Sequence, residues 1–321
     1  MERVRAAGVE HCRELPWRHI DDAYAVLVSE VMLQQTQVAR VEKFWRRFLA
    51  AFPTLDALAA ASTSDVLEMW QGLGYNRRAL ALKRTADECA AHFDGMLPRA
   101  YDDLVALPGI GPATAAGVRA FAWEEPGVYL ETNVRAVFLH EVFPDCDKVP
   151  DRELVPLVAD VCPPAPARDA ARGVRGAGAE GAPGASDVAA AGGALGARGG
   201  DAHPAHRAPD PLASPRDWYY ALLDFGAHLK AAGANPTRRS AHYARQSAFE
   251  GSRRQKRSWI VRRVLAADAQ AGVAAATVLA ELSAAERAAG RDGVTEGEFA
   301  SIVDDLVREG FFRREGGVLV P

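Results

Sequence analysis

The strongest constraint on this chain is a carboxylate set inside an apolar helix. The run Tyr24-Ala25-Val26-Leu27-Val28 leads directly into Ser29-Glu30-Val31-Met32-Leu33-Gln34-Gln35-Thr36-Gln37-Val38, and the acids Asp21 and Asp22 are placed to start a helix there. Glu30 falls where that helix is expected to be buried. A buried carboxylate is costly unless it is paired or employed, and burial raises its pKa toward a range useful for proton transfer. The plain alternative is a solvated Glu near a helix end. A second motif weighs against it: Leu107-Pro108-Gly109-Ile110-Gly111, followed by Glu131-Thr132-Asn133-Val134-Arg135.

Around these motifs the chain has the material for one large core or two smaller ones, with 321 residues of which 49% are hydrophobic. The formal net charge is −4, so no global basic field announces nucleic acid, and any such surface must come from local clustering. Cys12, Cys89, Cys146 and Cys162 lie far apart and form no CxxC-type set, which supports neither zinc nor an iron–sulfur cluster nor a secreted disulfide framework. No run reaches membrane-spanning length and no signal core opens the chain, so the expected compartment is the cytoplasm.

Arg13-Glu14-Leu15-Pro16-Trp17-Arg18 reads as an extended lead-in. After the Glu30 helix, apolar residues recur at helical spacing from Val38 through Phe52 and stop at Pro53. Thr54 and Ser64 are the expected caps of two short helices that follow. Gly72-Leu73-Gly74-Tyr75 breaks the pattern: two glycines permit a tight turn holding Leu73 and Tyr75 outward, with Arg77 and Arg78 beside them to hold phosphates. One reading is a structural turn with a buried Tyr. The other is an aromatic wedge entering a duplex beside an extruded base. In Leu107–Gly111, two glycines between helices leave backbone N–H groups open at a helix start, a site for phosphate without sequence preference, with Ile110 anchored in the core.

Taken together, the run SEVMLQQTQV, the preceding RELPWR and the following GLGY and LPGIG resemble the adenine DNA glycosylase (MutY) family of the helix-hairpin-helix glycosylase superfamily, over about residues 11–162 and again from 215 to 230. The resemblance implies a mostly α, two-lobed helix-hairpin-helix glycosylase fold. It implies Glu30 as the catalytic acid, Glu131 at the family's catalytic aspartate, and Asn133 as the family's asparagine two positions on. Arg13, Trp17 and Leu33 would line the base pocket, while Asp224 is either a buried helix carboxylate or a further pocket residue. Gln34, Gln35, Thr36, Leu73, Tyr75, Arg77, Gly109 and Gly111 would meet double-stranded DNA. A monovalent cation held by hairpin carbonyls is also implied. Two departures stand out: the family's aspartate is Glu131, which moves the carboxylate by about 1.5 Å unless the backbone compensates, and the following glycine is Thr132. Where bifunctional relatives carry a lysine after the hairpin, Pro112-Ala113-Thr114 stands here, so no Schiff-base nucleophile is present.

The expected organisation is a glycosylase domain built from residues 1–162 and 215–257, a disordered Ala/Gly/Pro-rich insertion over 163–214, and a winged-helix-like module over 258–321 with three helices and a Gly-Gly hairpin. The four cysteines with which the family holds a 4Fe–4S cluster are absent from residues 233–252, so the resemblance is to a clusterless variant with no cofactor. A basic run that includes Arg238 and Arg239 stands there instead, a phosphate-facing surface by its local charge. The family's domain that reads oxidised guanine has no visible counterpart. The function expected is that of a monomeric, monofunctional glycosylase releasing a mispaired base, adenine first. Thymine or uracil opposite guanine is the alternative target, and a non-catalytic DNA-binding scaffold is the alternative class.

Overall fold

The computed structural model of the protein describes residues 2–166, 214–243 and 248–321. The expected disordered insertion therefore lies almost wholly outside the described residues. What is described is mostly helical, in two lobes followed by a small C-terminal unit.

The first lobe is organised around α2 (Ala23–Leu33). Asp22 caps it, its carboxylate accepting from Ala25 N at 3.0 Å. Every residue from Tyr24 to Met32 except Glu30 is buried, as a helix apolar all round requires. α3 (Val38–Ala51) turns only one stripe inward, Val41, Trp45 and Phe48, one turn apart. The Trp45 indole N–H donates to the Ala25 carbonyl at 2.8 Å and ties α3 to α2. α4 (Leu55–Ala60) is capped by Thr54, and α5 (Thr63–Trp70) by Ser62 rather than Ser64. Ser62 wins because Asp65, three residues on, completes a reciprocal capping box with it. α6 (Arg77–His92), α7 (Tyr101–Ala106) and α8 (Pro112–Trp123) complete the lobe, α8 lying along α2.

The second lobe joins α1 (Glu2–Glu10), α9 (Thr132–Glu141), α10 (Asp151–Val161) and α11 (Pro215–Ala231). Two glycines let its helices touch backbone to backbone. A Cβ at Gly8 would stand 2.3 Å from that of Ala221, and one at Gly226 would stand 2.2 Å from the Asn133 carbonyl oxygen. α11, which follows the insertion in sequence, is thus packed against both α1 and α9, so chain from both sides of residues 167–213 shares one core.

The C-terminal unit runs α12 (Arg253–Leu265), β1 (Val273–Ala274), α13 (Ala275–Ala288), α14 (Glu296–Glu309), β2 (Arg313–Glu315) and β3 (Val318–Val320). The strands form an antiparallel sheet in the order β1-β3-β2, with Val273 opposite Leu319 and Arg314 also opposite Leu319. Gly316 and Gly317 make the β2–β3 turn, Gly316 at φ +62°. Three helices and a terminal hairpin in this order make a winged helix. Ile260, Val264, Val278, Leu282, Ile302 and Leu319 fill its interior.

Candidate active site and nucleic-acid interface

Glu30 lies one turn from the end of α2, where the helix passes over α8 at Gly117. A Cβ on Gly117 would stand 2.5 Å from Glu30 Oε2 and 2.9 Å from the Tyr129 ring, so the absence of a side chain there is what gives the carboxylate its place. The residue keeps a little solvent contact, but its carboxylate is surrounded by protein. Burial pushes its pKa up to about 8; the Tyr129 hydroxyl, donating to it, opposes the rise, and the Glu131 carboxylate adds to it. Tyr129 is itself buried and braced by edge-on contacts with Phe121 and Tyr219 at 5.1 and 5.3 Å. Burial and the two carboxylates push the Tyr129 phenol far above its ordinary range, so it serves as a fixed donor.

Glu131 is the N-cap of α9. Its Oε1 accepts from the backbone N–H of Asn133 and, at 3.0 Å, of Val134. The longer side chain therefore folds back onto the helix start, where the open N–H groups and the dipole favour its charge. Burial raises its pKa, and those N–H groups together with the Lys230 ammonium pull it back down. Asn133 Oδ1 is buried without a hydrogen-bond partner among the described residues, an acceptor left over at the site. Glu30 and Glu131, 101 positions apart in sequence (131 − 30 = 101), come close enough for the Glu131 charge to act on Glu30.

Arg78 links this site to the loop before α6. Its Nη1 donates to the carbonyls of Val31, Met32 and Gln34 at 2.7, 2.9 and 2.7 Å, which are the open end of α2. Its Nη2 donates to Thr36 Oγ1 and the Gly74 carbonyl, each at 3.1 Å. Burial lowers its pKa to about 10, still high enough to keep it charged at neutral pH. Expected as a phosphate contact, it is turned inward as a clamp. Gln34 Nε2 reaches Thr114 Oγ1 on α8 at 3.4 Å, while Gln34 and Gln35 are exposed. Tyr75 takes a left-handed backbone, φ +51°, between Gly74 and Asn76, and stays partly exposed. The hairpin follows the same side: Gly109 at φ +77° packs on Ala81, Ile110 is buried, and Gly111 is exposed with open space around it.

Several expected site residues stand elsewhere. Leu73 is buried in the core rather than held outward beside Tyr75. Trp17 is buried edge-on against Trp45 at 6.0 Å. The Asp224 carboxylate accepts from Arg13 Nε at 2.5 Å and from Arg18 Nη1 and Nη2 at 2.7 Å. Arg13 is spent on the same cluster, and Leu33 packs on the core edge. Arg238 is exposed, but Arg239 turns inward to the Leu139 and Phe143 carbonyls at the end of α9. Arg77 is exposed and already paired with Glu309 of the winged helix. Tyr129 is the side chain at this site that spacing alone missed, whereas Arg78 was singled out but for a different task. The signal for Tyr129 was a phenol two residues before a carboxylate in the apolar run Val128–Leu130.

Cys12 and Cys146 are exposed, Cys89 is buried in α6, Cys162 ends α10, and no group of metal-ligating side chains occurs among the described residues. The stretch that lacks cysteines is held instead by Arg239 and by a bridge in which Val149 N donates to the Arg239 carbonyl at 2.8 Å and Ala241 N to the Val149 carbonyl at 3.0 Å. At the hairpin, Thr85 Oγ1 donates to the Pro108 carbonyl at 2.9 Å.

Comparison with known proteins shows what this region of the chain is similar to. Residues 28–164 match the model of the HhH-GPD superfamily base excision DNA repair protein. The chain is 42% identical over 163 residues to an adenine DNA glycosylase of Mycolicibacterium smegmatis, covering 50% of this chain and 56% of that one. It is 43% identical over 131 residues to an adenine DNA glycosylase of Mycobacterium tuberculosis, covering 40% of this chain and 43% of that one. The chain thus spans about half the length of the curated relatives it matches. Among solved structures, a thermostable thymine-DNA glycosylase aligns at 22% identity with a TM-score of 0.43, over 50% of this chain and 80% of that one. Among the described residues no helix is long and apolar enough to cross a membrane.

Proposed function

We propose that the protein is a monofunctional DNA glycosylase that extrudes a mispaired base from double-stranded DNA, adenine before others, and hydrolyses its N-glycosidic bond. The observation that carries this reading is the Glu30 carboxyl, held at a pKa of about 8 beside a second carboxylate that caps a helix. At neutral pH Glu30 is mostly protonated and donates its proton to the leaving purine as the C1′–N bond breaks. The sugar is left with oxocarbenium character, and the Glu131 carboxylate supplies its counter-charge. Glu30, now ionised, takes a proton from water while the hydroxide adds to C1′, which restores the acid. Tyr129 and Gly117 hold the carboxyl in place throughout.

Adenine as the target rests on the names of the relatives; the family match over residues 28–164 spans the acid, the hairpin and the Glu131 segment. With Ala113 following the hairpin instead of an amine, the backbone is left intact. We take the enzyme to act as a cytoplasmic monomer without an iron–sulfur cluster. The test is a panel of mismatched duplexes incubated with the purified full-length chain, half of each reaction then treated with hot alkali. Cleavage at adenine only after alkali is the expected result. No release from any duplex, or release confined to thymine or uracil, would overturn it.

A further inference from the structure

The winged helix packs on the glycosylase beside the turn that carries Tyr75, and between them runs a cleft of about 900 Å³. One wall is Gln34, Gln35, Arg40 and the Gly72–Arg78 turn; the other is Phe249, the first two turns of α12 and Phe311. In that cleft three flat groups are layered. The Arg254 guanidinium lies over the Tyr75 ring at 5.4 Å and over the Phe249 ring at 5.3 Å, and its Nη1 donates to the Tyr75 hydroxyl at 3.0 Å. Phe249 forms the end of the stack and is 49% exposed, although phenylalanine is usually buried.

The exposure is not the looseness of a frayed end. Ser252 donates both its hydroxyl, at 2.6 Å, and its N–H, at 3.2 Å, to the Phe249 carbonyl, then caps α12 through Gln255 N at 3.3 Å. Gly251, at φ +72°, makes the turn and donates to Gln255 Oε1 at 2.6 Å. The backbone under Phe249 is therefore fixed before any ligand arrives. Arg40 on one wall and Arg262 on the other are exposed and have no acidic partner among the described residues. A rigid aromatic face with unneutralised cations at its margins fits a flat heteroaromatic group joined to phosphates.

We propose that the Tyr75–Arg254–Phe249 stack is a platform for the nucleobase left without a partner when the target is extruded, with Arg40 and Arg262 taking the flanking phosphates of that strand. This rests on the base-extruding reading above and gives the C-terminal unit its task. It contacts DNA through the start of α12 and Phe249, not through α14, whose Asp305 and Glu309 are spent on Arg253, Arg257 and Arg77.

The test uses the full-length chain and a duplex with 2-aminopurine opposite a tetrahydrofuran abasic analogue, which has no base to release and so reads binding apart from catalysis. Stacking on Phe249 is expected to quench the 2-aminopurine emission on binding. Phe249→Ala is expected to abolish that quench and to weaken binding about five- to a hundredfold, and Phe249→Trp to restore both. Unchanged quenching and affinity in Phe249→Ala, or no duplex binding by the wild-type chain, would overturn the platform. A wild-type chain that binds and quenches but releases no base from any mismatch would leave the platform standing and sink the glycosylase reading instead.

Discussion

The acid site and the cleft before the winged helix are held together in opposite ways. Around Glu30 nearly everything is buried, the groups are few, and each has one job: Gly117 makes room, Tyr129 donates, Glu131 caps and charges. Around Tyr75 the contacts are half-buried to exposed ion pairs with shared partners, such as Glu309 held by both the exposed Arg77 and the half-buried Arg257. A buried charge removed from its setting costs its full desolvation, whereas an exposed pair is screened and competes with water. The first region should therefore respond steeply to single changes and the second shallowly.

The steepest response is expected at Glu30. Glu30→Gln should abolish base release while leaving duplex affinity near wild type, read by single-turnover release beside a binding titration; a near-normal rate would remove Glu30 from its role. The same variant carries a stability signature. Because the folded pKa is raised, the folded state holds a proton that the unfolded state has lost between about pH 4.5 and 8. Wild-type stability should therefore fall across that window, and Glu30→Gln should flatten the fall by a few kcal/mol. Parallel denaturation curves for both proteins from pH 5 to 8 would contradict the buried, protonated carboxyl.

Next comes Glu131. Glu131→Gln should lose about a hundredfold or more in rate because the developing sugar cation loses its counter-charge. Glu131→Asp discriminates further. The cap reaches Asn133 and Val134 through the longer side chain, so Asp should lose activity too, and full activity in Asp would show that either reach serves. Tyr129→Phe should act more gently and in one direction. Its hydroxyl favours the ionised Glu30, so its loss should move the alkaline fall of the rate profile above pH 8. An unmoved profile would mean that this hydrogen bond does not tune the acid. The smallest effect belongs to the cleft: Glu309→Gln should cost about 1 kcal/mol or less in a denaturant titration, and a much larger loss would erase the contrast between the two regions.

The two regions also differed in how much of them could be read from the chain. Glu30 and the Gly109–Gly111 hairpin were legible because local chemistry defines them: a charge in an apolar helix, two glycines between helices. The three C-terminal helices and the Gly-Gly turn between the last two strands were legible from spacing. What stayed hidden depends on partners distant in sequence. Asp224 met its partners only once Arg13 and Arg18, more than two hundred positions earlier, closed on it. Leu73 looked like a turn residue until the lobe closed over it, and Arg78 gave no sign that the end of α2 would take its donors. Ser62 displaced Ser64 as a cap through Asp65, a local signal that was present and passed over.

Gly117 bears on how this protein would fail. A methyl group there would stand 2.5 Å from Glu30 Oε2 and 2.9 Å from the buried Tyr129 ring, so both the acid and its donor would have to move. The smallest possible side chain at this one position thus acts on the acid and on the phenol that holds it at the same time.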